Sequence, residues 1–364
     1  MSSECAEPLR VPELPPARWG GRALSGFGSA LDAALLRAAQ LAVDAILLPA
    51  PEHLDELRQG ALRMGQAPLA DRPRRLFAFP EDPPRARELR TTFLRSARGG
   101  GVVRRELSFE YRGYFDEAAR QETLVFEHWM HGPRRPAGTV VAIHGFAMGQ
   151  PRIDALALLA SQWFGFGLDV ALPTLPHHGE RRPQGARFSG EAFAAPDATR
   201  LAEAVRQAVF ELRLLQGWLR QETAAPVGLL GLSLGGYLAA LMAGLYDDLD
   251  FAVPLAPPVC LGDLAWRFHS HSRRFERPAL SRDELRAAFR AHSPLAHPLR
   301  VPRERLLIAA GRGDRIVPPE HPGSLWRHWG EPEIHWWNGG HLGPIGRRQV
   351  ALRVRGLLER LAIL

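Results

Sequence analysis

The sequence predicts an α/β protein: a mostly parallel sheet with helices on both faces, a helical N-terminal extension and a helical cap insertion. Three observations predict it. From residue 101 onward, short β-rich segments alternate with helical ones, the pattern of parallel strands joined by crossover helices. The strand-like runs are short, apolar and bounded by Gly or Pro, as in strands buried on both faces. The first hundred residues lack this alternation and show helical spacing instead.

The elements follow in order. Residues 1–29 are rich in Pro, Gly and Arg and read as an irregular arm. Over 31–48 the polar positions Asp32, Arg37, Gln40 and Asp44 gather on one side of a helix wheel and leave a wide apolar face. That face packs on the main domain, with a membrane surface or a partner as the alternatives. Further helices are expected over 51–65 and 80–96, so that 1–100 forms a mostly helical extension ending at Gly99, Gly100 and Gly101. Strands over 102–112 and 122–130 form a hairpin, and 139–146 is a buried strand. A helix over 153–167, a strand over 169–176 and a long helix from Asp197, a good N-cap, come next. Strands over 226–232, 251–257, 305–311 and 333–338 then alternate with helices over 234–246, near 322–329 and through 347–364. Residues 258–300 interrupt the alternation and read as a helical insertion above the sheet, with Trp266, Phe268, Phe275 and Phe289 either lining a lid or forming a small core of the cap.

Composition narrows the function classes. At 364 residues, 46% hydrophobic and 23% charged, the chain is globular rather than disordered or membrane-spanning. A net charge of +7 raises the question of nucleic acid. Every one of the 46 basic residues is arginine, however, scattered along the chain among acids, and no nucleic-acid-binding pattern accompanies them. No nucleic-acid partner is expected. Cys5 and Cys260 are far apart in unlike contexts, which argues against a disulfide or a thiolate metal site. His269 and His271 lack an Asp, Glu or Cys to complete a ligand set, so no metal is expected, and no cofactor is implied. The first residues show no cationic segment followed by an apolar run, which makes a cytoplasmic location the expectation.

Chemistry concentrates at Gly231-Leu232-Ser233-Leu234-Gly235, between a predicted strand and a predicted helix. A sharp strand-to-helix turn crowds the positions two before and two after its central residue, which is why Gly231 and Gly235 flank the serine. A serine hydroxyl is a weak nucleophile that needs an adjacent base, itself oriented by an acid. Asp314 follows the strand over 305–311 and His341 follows the strand over 333–338, in the chain order serine, acid, histidine. Asp263 is the alternative acid. Upstream, His144 and Gly145 end a strand and shape a turn in which the Phe146 amide, with that of Leu234, would bind an oxyanion. His177, His178 and Arg181 lie in a loop after the next strand and are candidate substrate contacts.

On these motifs, residues 101–364 resemble the α/β-hydrolase-fold serine hydrolases. The segment 172–183 further resembles a loop in an abhydrolase-domain branch near dienelactone hydrolase and acetyl esterase-like enzymes. The resemblance implies a carboxylic-ester hydrolase acting through an acyl-enzyme on a small-molecule or lipid acyl substrate. A thioesterase, lipid acyl hydrolase, peptidase or acyltransferase would use the same triad, and a catalytically silent scaffold that binds a partner is the alternative of another class.

Overall fold

Strands that are apolar on both faces need a helical layer on each side, and here they have one. A computed structural model describes residues 14, 21–33, 76–80, 85–97, 99–115, 118–132, 135–194, 198–270, 281–341 and 346–364. Its strands are β1 (Arg87–Ala97), β2 (Gly100–Arg112), β3 (Ala119–His131), β4 (Gly138–Ile143), β5 (Leu168–Thr174), β6 (Val227–Leu232), β7 (Ala252–Leu255), β8 (Leu307–Gly311) and β9 (Glu333–Trp337). Helix α1 is described over 21–33. It is followed by α2 (Pro151–Ala157), α3 (Ala160–Gly165), α4 (Ala198–Thr223), α5 (Leu234–Leu245), α6 (Leu261–Ser270), α7 (Arg282–Phe289), α8 (Glu320–His328) and α9 (Arg347–Arg360).

All nine strands join one sheet in the order β1-β2-β3-β5-β4-β6-β7-β8-β9. The β1–β2, β2–β3 and β3–β5 pairs are antiparallel, and every pair from β5–β4 to β8–β9 is parallel. Within β4, Val141 and Ile143 enter one core with side chains of α4, α5 and α8, while Val140 and Ala142 enter a second core with Trp163 of α3 and Val354 and Leu358 of α9. This strict alternation with both sides apolar is what makes the sheet a central layer. The expected hairpin over 102–130 is present as β2–β3, paired from Arg112 with Ala119 to Gly100 with His131.

Three elements differ from the sequence reading, the first being helix α1, which takes up 21–29 of the expected irregular arm. The helix expected over 80–96 is instead strand β1 from Arg87 on, which pairs antiparallel with β2. As an edge strand with one neighbour and largely exposed side chains, it carries no buried alternation to announce itself. The helix expected over 153–167 is split at Leu159, whose φ of 57° breaks the helical path. The Trp163 indole N–H donates to the Leu158 carbonyl at 2.6 Å and satisfies an acceptor that the break leaves open. The expected helix over 31–48 lies outside the described residues beyond position 33, as do the helix over 51–65, the Asp197 cap and Phe275.

The insertion is helical where it is described. Ser281 and Glu284 form a reciprocal capping box at the start of α7, and Arg286 of α7 donates twice to Asp263 of α6, at 2.8 and 3.0 Å. Leu285, Ala288 and Phe289 enter the first core and Trp266 packs against it, so these helices sit down on the domain.

Candidate active site

The parallel strands all deliver their loops to one edge, the C-terminal one, where open α/β sheets keep their sites. Ser233 stands there between β6 and α5 with φ 57° and ψ −114°, a conformation that costs a non-glycine residue on the order of 1–3 kcal/mol. Its amide donates to the Leu255 carbonyl of β7 at 2.9 Å, and its carbonyl accepts from the Tyr237 amide in the first turn of α5. The two glycines are explained by contact. A Cβ on Gly231 would meet the Gly235 carbonyl oxygen at 2.1 Å, and one on Gly235 would meet the Ile143 carbonyl oxygen at 2.1 Å. No side chain fits at either position.

Asp314 follows β8 and His341 follows β9. His341 Nδ1 and Asp314 Oδ2 are 2.7 Å apart, with side chains 5% and 1% exposed. The other Asp314 oxygen accepts from the amides of Ile316 at 2.9 Å and Val317 at 2.7 Å, which fixes the carboxylate's orientation. Burial alone would lower the His341 pKa. The Asp314 carboxylate reverses that and holds it above the usual imidazole value. Asp263, the alternative acid, is bound instead by Arg286 and Arg282, which hold its carboxyl below the usual range against the opposing effect of burial. The acid beside His341 is therefore Asp314.

His144 is fully buried. Its Nδ1 bonds the Gly145 carbonyl at 2.8 Å, and its Nε2 accepts the Leu175 amide at 3.1 Å. An Nε2 that accepts leaves the proton on Nδ1, so the ring is a neutral strut between the turn after β4 and the end of β5. Burial lowers its pKa to about 4. The Gly145-Phe146 turn passes close to the serine, a Cβ on Gly145 lying 3.5 Å from Ser233 Cβ. Farther along this loop, the Gly149 amide donates to buried Asp154 of α2 at 3.2 Å, an anchor that the sequence reading did not single out.

Two candidate substrate contacts are corrected. His178 is 0% exposed, its Nδ1 bonds the Pro176 carbonyl at 2.8 Å, and its ring packs among His144, Phe146 and Phe193. Arg181 forms a two-pronged pair with Glu211 of α4 at 2.6 and 2.7 Å and donates to the Thr174 carbonyl at 2.9 Å. Both are enclosed by partners that a loop sequence does not reveal. His178 is fully buried, whereas His177 and Arg181 are partly exposed, His177 with a left-handed φ of 62°.

Asp32, read from the sequence only as a polar position on an amphipathic helix, does stand in helix α1, but sequence reasoning missed its burial at the site. It is 0% exposed, and its Oδ2 accepts the amides of His341 at 2.7 Å and Arg315 at 3.0 Å.

No family model matches the chain. An uncharacterized protein of Mycobacterium tuberculosis, found in strains H37Rv and CDC 1551, is 37% identical over 251 residues, or 67% of this chain. The match spans 58% of that protein's length. Among solved structures, acetyl xylan esterase 1 from Thermoanaerobacterium sp. JW/SL YS485 superposes with a TM-score of 0.56 at 17% identity, covering 85% of this chain and 94% of that one. The acetyl xylan esterase from Paenibacillus sp. R4 gives 0.55 at 14% identity, covering 84% and 94%. The chain has the α/β-hydrolase fold.

In the α/β-hydrolase fold the strand-to-helix turn at Ser233 and the loops after β8 and β9 share one sheet edge, as they do here. Among the described residues no hydrogen bond joins Ser233 to His341, and no group of three His, Cys, Asp or Glu side chains is arranged to hold a metal ion. The His269–His271 pair lies outside what is described of side chains. Among the described residues no helix is long and apolar enough to cross a membrane.

Proposed function

We propose that this chain is a serine hydrolase that cleaves carboxylic esters through an acyl-enzyme. The observation that carries the reading is the buried 2.7 Å His341–Asp314 pair at the sheet edge that also holds the strained elbow of Ser233. In this reading the imidazole of His341 takes the proton of Ser233 as its oxygen attacks the ester carbonyl, and Asp314 stabilises the imidazolium. The amides of Phe146 and Leu234 receive the oxyanion. His341 then returns the proton to the departing alcohol and activates water to release the acid. His177 is retained as a contact at the rim of the site.

The acyl group is proposed to be short. An apolar cavity of about 50 Å³ lies beside His341, walled by Leu158, Trp163, Leu232, Leu255 and Trp337, and the two structural relatives described above are acetyl xylan esterases by name. The test is reaction of the purified protein with a fluorophosphonate probe, followed by p-nitrophenyl esters from acetyl to palmitoyl, with Ser233→Ala as control. Labelling and turnover that vanish in the variant, with acetyl or butyryl esters preferred, are expected. An unlabelled, folded wild type would overturn the reading in favour of a silent scaffold. Preference for palmitoyl esters would replace the short-acyl reading with a lipid acyl hydrolase.

A further inference from the structure

Helix α1 is far from the catalytic loops in sequence and in direct contact with them in space. A Cβ on Gly28 would lie 2.1 Å from the Gly340 amide nitrogen, and one on Gly313 would lie 2.2 Å from the Ser25 carbonyl oxygen. The backbone of α1 therefore presses on the loop after β8 and on the loop after β9 at once. Arg315 adds a side-chain tie, its Nε donating to the Ser29 hydroxyl at 2.6 Å. At the centre of this contact Asp32 Oδ2 accepts two amides, one from the residue after the acid and one from the histidine itself.

We infer that Asp32 is a positioning residue for the hydrolase site: one fully buried carboxylate oxygen clamps the Asp314 loop to the His341 loop through the amides of Arg315 and His341. The inference rests on reading Ser233, Asp314 and His341 as the triad. Its geometry stands on the hydrogen bonds alone. The 2.7 Å contact between His341 Nδ1 and Asp314 Oδ2 needs the two loops to be in register, and their backbones share this acceptor. A displacement of about 1 Å in a catalytic group is enough to slow a reaction roughly a hundredfold. A carboxylate that accepts two N–H groups gives charge-assisted bonds, stronger than neutral ones.

Asp32 also acts through charge. Around the His341 ring, burial disfavours the imidazolium, while Asp314 and then Asp32 favour it. Arg315 directs its guanidinium to Ser29. Asp32→Asn keeps one oxygen for the two amides and removes the charge, whereas Asp32→Ala removes both, so the two variants separate the clamp from the field.

The experiment measures kcat and KM for p-nitrophenyl acetate in the full-length wild type, Asp32→Asn and Asp32→Ala, together with thermal melting. It adds an NMR pH titration of the His341 ring in the wild type and in Asp32→Asn. Asp32→Ala is expected to lower kcat by roughly ten- to a hundredfold with KM within about twofold, and Asp32→Asn to recover part of that loss. In Asp32→Asn the His341 titration is expected to move to lower pH. A folded Asp32→Ala with wild-type kcat, or a His341 titration that does not move in Asp32→Asn, would overturn the inference. Loss of melting temperature and activity together without any pH shift would show Asp32 to be structural only. If Asp32→Ala fails to fold, Asp32→Asn carries the test. A wild type without esterase activity or probe labelling would count against the triad itself, and the His341 titration would still decide the role of Asp32.

Discussion

His341 faces Asp314 across 2.7 Å in a space from which both side chains are almost wholly withdrawn from water. Burial pulls the imidazole pKa down, and the carboxylate pushes it up by more, leaving it above the ordinary imidazole value of about 6.5. A base must be unprotonated to accept the serine proton, so activity should rise with pH along a limb centred above about 6.5. In Asp314→Asn the charge is gone, the limb should move to lower pH, and the rate should fall by roughly 10⁴. The pH profile of kcat/KM in the two proteins checks both statements. A limb that stays in place would mean another group titrates.

That limb does not belong to His144, although His144 is also buried at the edge of the site. Its pKa lies near 4 because burial disfavours its charge, and both ring nitrogens are already engaged. His144→Ala should leave the pH midpoint unchanged while lowering stability by about 1–3 kcal/mol, because the Leu175 amide and the Gly145 carbonyl each lose a partner. Urea denaturation measured beside the pH profile separates the two effects.

Arg181 should behave as part of the core rather than as a binding residue. Its side chain is 10% exposed and that of Glu211 is 2% exposed. Removing one member strands a buried charge, so Arg181→Ala should cost about 3–5 kcal/mol of stability. For protein that remains folded, KM should change less than about twofold. A large KM increase in a stable Arg181→Ala variant would restore the arginine to the substrate site.

Gly235→Ala tests the elbow directly. The added methyl would lie 2.1 Å from the Ile143 carbonyl oxygen and 2.8 Å from that of His144, both of them backbone atoms. Overpacking of this kind costs about 1–3 kcal/mol and here displaces the turn that carries Ser233. Probe labelling should fall well below that of the wild type at equal protein concentration. Full labelling would show that the turn has room the geometry denies it.

The parts that the sequence revealed are those written as local steric rules. Gly231 and Gly235 report a turn that excludes two side chains, and Asp314 and His341 each stand just beyond a short apolar strand. What it concealed depends on partners distant in the chain. Glu211 on α4 is the counterpart of Arg181, and an acid at a position flanked by the buried Phe210 and Leu212 was the available sign that some cation must come to meet it. Strand β1 lacked a signal because its residues are exposed at the sheet edge, Phe93 included at 64%. Asp32 looked like solvated polarity on an amphipathic pattern. Only the fold shows that this side of the helix faces the loops after β8 and β9.

The clamp at Asp32 joins atoms 309 residues apart in the chain. Closing a loop of that length is only about 0.6 kcal/mol harder than closing one half as long, so the equilibrium barely registers it. The kinetics do, since long-range contacts form late. A nascent chain that has already made the turn at Ser233 and the loop of Asp314 still lacks His341 until the loop after β9 has emerged and met the earlier helix α1. In the proposed hydrolase, a centre arranged in this way would stay inert until that contact forms.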